Sequence, residues 1–127
     1  MSDNTVAAKN ILVVDDEFMN IRMAERILKD LPSVSFVRAM NSAELFEALE
    51  NNDISVIMLD LRMPDSNGFD LYAKIREKYD TPVVIMTADR SDETIHRIEA
   101  LGMADHLSKP LDPIKTRELI SSLLNIG

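Results

Sequence analysis

Cysteine is absent from this chain of 127 residues, which excludes disulfides, thiolate metal sites and cysteine nucleophiles. Tryptophan is also absent and aromatic residues make up 5%, so the core has to be built from Val, Ile, Leu and the eight Met residues. No apolar run approaches the roughly 20 residues of a membrane-spanning helix. The segment 1–10 lacks the apolar centre of a signal peptide. These absences predict a soluble, cytoplasmic protein of one domain spanning 1–127.

Glycine is scarce, and basic residues are fewer than acidic ones. The three glycines, at 68, 102 and 127, form no Gly-rich loop of the kind that holds a nucleotide. Acidic residues outnumber basic ones by 22 to 14, giving a net charge of −8, and Lys and Arg form no cluster along the sequence. Nucleic acids and anionic membranes are therefore unfavourable partners, since both require a basic surface.

Short apolar runs alternate with longer amphipathic stretches, which predicts strands alternating with helices. The predicted strands cover 11–14, 34–39, 54–59, 82–86 and 106–108. The predicted helices run from 18 to 31, from Asn41, around 69–75, from about Ser91 with Gly102 as the C-cap, and after Asp112. A loop with turn residues at 64–68 follows the third strand. This alternation predicts an α/β domain with a parallel sheet covered by five helices on both faces.

Polar side chains follow four of the predicted strands at the point where each ends. They are Asp15 with Asp16, Asp60, Thr87 and Lys109. Each alone is an ordinary cap or turn residue. Because the carboxyl ends of parallel strands meet at one edge of a sheet, where ligands bind, we expect all five side chains to share one crevice.

Three carboxylates in one crevice repel each other, and a hard divalent cation offsets that repulsion best. Oxygen ligands favour Mg²⁺, with Mn²⁺ as an alternative. A strand-end Asp can also act as a nucleophile toward a phosphoryl group. Asp60 stands alone at the end of the most central predicted strand, so we predict that it accepts the group. Lys109 would pair with its charge, Thr87 would donate a hydrogen bond, and Asp15 and Asp16 would hold the metal.

Four motifs at these strand ends resemble those of a known family. ILVVDDE, IMLDLRMPDSNGFDL, PVVIMTA and HLSKP are similar, in order and spacing, to the receiver domain of two-component response regulators, in particular the single-domain, chemotaxis-regulator type. The resemblance covers about residues 9 to 126. It implies a flavodoxin-like fold with strand order 2-1-3-4-5.

The resemblance also implies a chemistry for Asp60. This residue would receive a phosphoryl group from a phosphohistidine on a sensor histidine kinase or a histidine phosphotransfer protein. Asp16, Asp60 and the backbone carbonyl of Arg62 would ligate Mg²⁺, with Asp15 acting mainly through water. The protein would catalyse only its own phosphorylation and dephosphorylation, so it would not be a turnover enzyme.

Further family features concern the response to phosphorylation. Thr87 would move toward the phosphoryl group, Lys109 would pair with it, and the Lys109–Pro110 peptide bond would be cis. The surface formed by the last two helices and the strand between them would change, with a phosphorylation-dependent homodimer as one outcome. The sequence does not identify the downstream partner.

One departure from the family pattern concerns this switch, and two further residues stand at positions that, in the family, flank the phosphoryl group and influence how water reaches it. His106 stands where the family usually has Tyr or Phe, three residues before the Lys, which predicts a weaker, different or pH-sensitive switch. Arg62 and Asp89 follow Asp60 and Thr87 by two positions each. Our hypothesis is that they pair across the site and slow dephosphorylation.

Three alternatives remain at this point. A phosphatase of the haloacid dehalogenase type uses similar residues, but it needs an Asp two positions after the nucleophile, where this chain has Arg62. A phosphorylation-independent interaction module would leave the acidic site without a role. A flavodoxin shares the fold but carries a phosphate-binding loop where this chain has Asp15, Asp16 and Glu17.

Overall fold

The computed structural model describes residues 8–126, so the predictions for segment 1–7 and for Gly127 lie outside it. Five strands form a parallel sheet in the order β2-β1-β3-β6-β7, and two short strands form a separate antiparallel hairpin. The strands are β1 (Lys9–Val14), β2 (Val34–Ala39), β3 (Ile54–Asp60), β4 (Arg62–Met63), β5 (Ser66–Asn67), β6 (Val83–Thr87) and β7 (Asp105–Ser108). The helices are α1 (Phe18–Leu28), α2 (Ser42–Asn51), α3 (Gly68–Arg76), α4 (Asp92–Ala100) and α5 (Pro113–Leu124).

The sheet order confirms the predicted 2-1-3-4-5 arrangement once the hairpin strands β4 and β5 are left out. Alternate residues of each central strand face opposite layers, since side chains in a strand point to alternate faces. Ile11 and Val13 pack with α1 and α5, while Leu12 and Val14 pack with α2, α3 and α4. Both faces of the sheet are therefore buried. Within residues 8–126, no helix is long and apolar enough to cross a membrane.

Side-chain caps fix where two of the helices begin, as the sequence predicts. The Asn41 side chain accepts a hydrogen bond from the Glu44 N–H at 2.9 Å at the start of α2. At the start of α5, the Asp112 side chain accepts one from the Lys115 N–H at 3.1 Å, with Pro113 as the first helical residue. These caps satisfy N–H groups that have no partner inside the helix.

Gly102 lies one position beyond the C-cap of α4 rather than at the cap itself, which is Leu101. Its φ of +76° is one that a side chain would strain. The Gly102 N–H donates to the Glu99 carbonyl and the next N–H, of Met103, reaches back to the Ile98 carbonyl, which closes the helix end. The predicted helix end was therefore correct to within one residue.

Helix α1 is shorter than predicted and its first residue is not in the core. It ends at Leu28, and the Leu31 N–H donates to the Leu28 carbonyl in a turn that ends the helix before Pro32. Phe18 is 43% exposed rather than buried. Its ring lies 5.3 Å from the guanidinium of Arg38, because α1 begins beside the edge strand β2.

The hairpin of β4 and β5 replaces part of the predicted loop after Asp60. Between its strands, Asp65 accepts hydrogen bonds from the Ser42 hydroxyl at 2.8 Å and from the Ser42 N–H at 3.2 Å. These bonds hold the pKa of the Asp65 carboxyl below its ordinary value. The hairpin that follows Asp60 is therefore attached to the first turn of α2.

The edge strand β2 lies between two helices of opposite charge. On one face of the sheet, α1 exposes Arg22 and Arg26, and its C-cap residue Lys29 is exposed as well. On the other face, α2 exposes Glu44, Glu47 and Glu50. The conclusion that basic residues do not cluster is therefore wrong for the folded chain, since residues 22, 26 and 29 line one surface cleft. The helical spacing of three to four residues hides the cluster in the linear sequence.

The buried hydroxyl of Thr116 is predicted to lower the stability of the folded chain. It lies on the buried side of α5, and its Oγ1 has no hydrogen-bond partner among residues 8–126. We expect Thr116→Val to raise the free energy of unfolding by about 1 kcal/mol, because a methyl group needs no partner. Urea denaturation measures the change.

Thr94→Val is the matched control for Thr116→Val. The Thr94 hydroxyl is also buried, but it donates to Asp89 Oδ2 at 2.7 Å, so this variant should lose stability. A loss of stability in both variants would show that the Thr116 hydroxyl makes a bond we have not identified.

Candidate functional site

The predicted site residues meet at the carboxyl edge of the sheet. Asp60 and Thr87 are the last residues of β3 and β6, and Lys109 directly follows β7. Asp15 and Asp16 follow β1. An open crevice of about 540 Å³ is lined by four of these five residues, and the fifth, Asp15, lies completely buried beneath it. The sequence therefore identified the residues that the fold brings together.

Lys109 links two of the carboxylates. Its Nζ donates to Asp15 Oδ2 at 2.8 Å and to Asp60 Oδ1 at 3.0 Å. Burial acts to lower the pKa of the Lys109 ammonium, but the hydrogen bonds and charges of Asp15 and Asp60 outweigh it, so the pKa is raised above its ordinary value. Lys109 is therefore a permanent cation in the crevice at neutral pH.

Asp60 is in an unfavourable environment for a carboxylate. Burial raises its pKa most, the charge of Asp15 raises it further, and the hydrogen bond from Lys109 only partly compensates. Its residual exposure is 7%, so the carboxylate can still be reached from the crevice. A group that adds positive charge here would stabilise the ionised form.

The donor set at this edge fits a hard divalent cation. Carboxylate oxygens of Asp15, Asp16 and Asp60 lie within 4.8 Å of one another. With the Lys109 ammonium, three negative charges and one positive charge leave a net of −2. All-oxygen ligation and this charge suit Mg²⁺. Asp15 has both oxygens engaged, by Lys109 and by the Glu17 N–H at 2.9 Å, which leaves Asp16 and Asp60 as the more available ligands.

Thr87 presents a hydroxyl beside this cluster. It is buried, and its Oγ1 accepts a hydrogen bond from the Asp89 N–H at 2.9 Å. Because the hydroxyl accepts in that bond, its own proton remains available for an oxygen atom in the crevice. The backbone of Thr87 is fixed by the Lys109 N–H, which donates to its carbonyl at 2.9 Å.

Arg62 and Asp89 form an ion pair at the rim of the crevice, with 3.1 Å between Arg62 Nη2 and Asp89 Oδ2. Asp89 also accepts hydrogen bonds from the Ser91 N–H at 2.9 Å and the Thr94 hydroxyl at 2.7 Å. These bonds, and to a lesser extent Arg62, hold the pKa of Asp89 well below its usual range. The contact in our hypothesis is present, while its effect on dephosphorylation stays a prediction.

His106 lies apart from this cluster. It is half-buried in β7, with its Nδ1 3.5 Å from Asp105 Oδ1, and lines a different cavity together with Arg90 and Lys115. In the part of the chain that the structure describes, it makes no hydrogen bond to Thr87. Its role in a switch stays a prediction.

Gly68 has a role that the sequence reading missed, since it counted only as a turn residue. Its N–H donates to the Leu61 carbonyl at 2.7 Å, which brings the start of α3 against the end of β3. A Cβ at this position would lie 3.1 Å from both Ile85 Cδ1 and Leu61 Cα. Only glycine allows this close approach without a shift of the segment after Asp60. The Lys109–Pro110 peptide bond on the other side of the crevice is cis.

The sequence of this chain is similar to those of several known proteins. A family model described as the response regulator receiver domain matches residues 11–121. The transcriptional regulatory protein SrrA of Staphylococcus aureus is 32% identical over 119 residues, which cover 92% of this chain and 48% of that protein. The transcriptional regulatory protein YvrH of Bacillus subtilis is 31% identical over 106 residues, covering 84% and 45%. The chain spans about half the length of these curated relatives.

Solved structures share the same fold. A two-component response regulator from Clostridium difficile superposes with a TM-score of 0.85 at 26% identity, covering 92% of this chain and 96% of that one. The chemotaxis response regulator CheY4 of Vibrio cholerae superposes with a TM-score of 0.82 at 24% identity, covering 93% and 100%. The second likeness is one of fold alone.

Proposed function

The chain belongs to the receiver-domain family of two-component response regulators, and from that premise we propose that Asp60 accepts a phosphoryl group from a phosphohistidine. The donor would be a sensor histidine kinase or a histidine phosphotransfer protein. The observation that carries the proposal is the position of Asp60, an accessible carboxylate at the end of the central strand β3, with the Lys109 ammonium 3.0 Å away.

The transfer uses the chain's own groups in defined roles. An oxygen of the Asp60 carboxylate attacks phosphorus, the P–N bond of the phosphohistidine breaks, and its electron pair stays on the donor nitrogen. The product is an acyl phosphate on Asp60. Lys109 pairs with the added negative charge, and the Thr87 hydroxyl donates a hydrogen bond to a phosphoryl oxygen.

We assign Mg²⁺, or Mn²⁺ in its place, to the same crevice. Asp16, Asp60 and the backbone carbonyl of Arg62 would hold it, with Asp15 acting through water. When bound, the ion supplies positive charge that offsets the phosphoryl oxygens. Two observations support this assignment: the all-oxygen donor set and the net charge of −2 on the group formed by Asp15, Asp16, Asp60 and Lys109.

Phosphorylation of Asp60 would act as a switch in a domain spanning residues 1–127. Thr87 would turn toward the phosphoryl group, and the surface of α4, β7 and α5 would change its binding properties, including by homodimerisation. The curated relatives are transcriptional regulators. For this domain we propose action in the cytoplasm on a downstream partner or output domain, without contact to nucleic acid by the domain itself.

Incubation with acetyl phosphate and MgCl₂ tests the proposal directly. Intact-mass measurement should show one phosphoryl group added per chain, EDTA should prevent the addition, and the Thr87 amide should shift in a ¹⁵N spectrum with beryllofluoride. No addition and no shift would support a phosphorylation-independent interaction module. Repeated turnover of p-nitrophenyl phosphate would support a phosphatase.

The ion pair of Arg62 and Asp89 should slow the loss of the phosphoryl group. The pair lies at the rim of the crevice. In that position it would limit how water reaches the phosphoryl group on Asp60. We expect the Arg62→Ala/Asp89→Ala variant to dephosphorylate roughly threefold to tenfold faster than the parent, measured by the decay of the phosphorylated band on a Phos-tag gel.

Arg90→Ala/Asp92→Ala is the matched control for that variant. Both residues are exposed, carry the same two charges and lie within three positions of Asp89, but neither lines the crevice. An unchanged decay rate in Arg62→Ala/Asp89→Ala, or an equal change in the control, would remove this role for the pair.

A further inference from the structure

A second cleft lies between α1 and the edge strand β2. It has a volume of about 320 Å³ and is lined by Arg22, Glu25, Arg26, Lys29 and Phe36. None of these residues lines the crevice of Asp60. The cleft is therefore a separate surface, and nothing in the proposed phosphorylation chemistry requires it.

The cleft is strongly basic in a chain whose net charge is −8. Its one acidic residue, Glu25, has both oxygens bound by Arg38, at 2.6 and 2.7 Å. In the described part of the chain, Arg22, Arg26 and Lys29 have no ion-pair partner. Counting Arg38, four positive charges and one negative charge leave a local net of +3, which opposes the sign of the whole protein.

The cations are arranged along a line. Arg22, Arg26 and Lys29 are spaced by four and three residues, and the C-cap Lys29 keeps a helical backbone conformation. The three side chains therefore share one side of α1 and its C-cap over roughly 10 Å. Phe36 of β2 is half-buried beside them and adds an apolar surface. Exposed cations three and four residues apart repel each other weakly and bring no stability of their own, because they have no ion-pair partner within the described residues.

The shape and chemistry distinguish between kinds of anion. A small phosphate ligand is normally held by converging backbone N–H groups or hydroxyls. The residues that line this cleft supply only long cationic side chains, one engaged carboxylate and an aromatic ring. A line of charges with an adjacent apolar surface matches an extended or helical peptide that carries several carboxylates.

We propose that this cleft docks an acidic segment of a partner protein, with carboxylates spread over about 10 Å and an apolar side chain placed against Phe36. Charge complementarity carries the proposal. The negative charge of the rest of the surface repels such a segment and directs it to the +3 cleft. Binding does not involve Asp60, so it is independent of phosphorylation.

The probe is a fluorescein-labelled 12-residue helical peptide with Glu at three positions spaced by four and three residues and Leu beside them. Its control peptide has Gln in place of each Glu. We expect the Glu peptide to bind the wild-type chain, and the Arg22→Gln/Arg26→Gln/Lys29→Gln variant to bind it roughly tenfold or more weakly. Raising NaCl from about 50 to 500 mM should also weaken binding, since the charges are exposed.

Lys74→Gln/Lys78→Gln/Lys115→Gln is the matched control variant. It removes the same three charges from exposed positions outside the cleft, so it should retain binding to within about twofold if contacts rather than net charge matter. In a ¹⁵N titration, the peptide should shift amides of residues 22–29 and 36–38. Circular dichroism and urea denaturation of both variants check that each is folded.

Several outcomes would overturn the proposal. The Gln peptide could bind as tightly as the Glu peptide, or the control variant could lose as much binding as the cleft variant. The peptide could also shift amides outside the cleft. Tighter binding of inorganic tripolyphosphate to the same residues would assign the cleft to a phosphate ligand. Self-association of the wild type that the cleft variant abolishes, seen by sedimentation, would assign it to a second copy of the chain. Because acetyl phosphate is absent from every arm, a failure here leaves the role of Asp60 untouched.

Discussion

Replacing Asp60 with Asn is expected to abolish phosphoryl incorporation, with a loss of at least about 100-fold relative to the parent chain. The amide has no anionic oxygen to attack phosphorus, although its size and position match those of the carboxylate. The measurement is intact mass after incubation with acetyl phosphate and MgCl₂, followed by peptide mapping of any modified residue.

Asp53→Asn is the control for this substitution. Asp53 is exposed and precedes the same strand, β3, so its replacement makes the same chemical change at the opposite end. It should be phosphorylated like the parent. Incorporation that persists in Asp60→Asn and maps to Asp15 or Asp16 would show that the nucleophile had been assigned to the wrong carboxylate.

Replacing Lys109 with Met is expected to lower the free energy of unfolding by about 3 kcal/mol, more than any other substitution proposed above. Asp15 is completely buried and Asp60 nearly so, and both lose the cation that lies within 3.0 Å of them. The remaining carboxylates would then repel each other without compensation. Urea denaturation at neutral pH measures the effect.

Two further measurements separate this electrostatic cause from lost packing. The double variant Lys109→Met/Asp60→Asn should regain part of the stability, because one of the repelling charges is gone. MgCl₂ should stabilise Lys109→Met more than it stabilises the parent, since added positive charge substitutes for the ammonium. Lys115→Met, at an exposed position of α5, should change stability by less than about 0.5 kcal/mol. No recovery in the double variant would contradict the charge argument.

The layout of the site could be predicted because strand ends carry it. Asp60, Thr87 and Lys109 each stop or follow an apolar run, and parallel strands bring such ends together whatever their separation in sequence. The order of the strands in the sheet could not be predicted from the residue pattern alone. Periodicity indicates strands and helices, whereas the order in which strands pair came from the family resemblance.

Some features could not be predicted from the sequence because the elements are very short or because the contacts join residues far apart in the chain. The hairpin strands β4 and β5 have two residues each, too few for any period to be visible. The bond from Lys109 to Asp15 joins residues 94 positions apart. Phe18 carries the spacing of a core residue, but its place at the start of α1 puts its ring against Arg38 at the edge of the sheet. In each case the deciding contact depends on tertiary geometry rather than on local pattern.

The charges on either side of β2 have a consequence for how copies of this chain meet. An edge strand exposes unpaired N–H and C=O groups, through which two sheets can join antiparallel into one. Such a joint is related by a twofold axis perpendicular to the sheet, so it would place α1 beside α1 and α2 beside α2. The basic side chains of one α1 would then face those of the other, and the acidic side chains of α2 would do the same. Like charges on both faces oppose fusion of the sheets at this edge, which leaves the other edge strand, β7, as the edge where two sheets could join symmetrically.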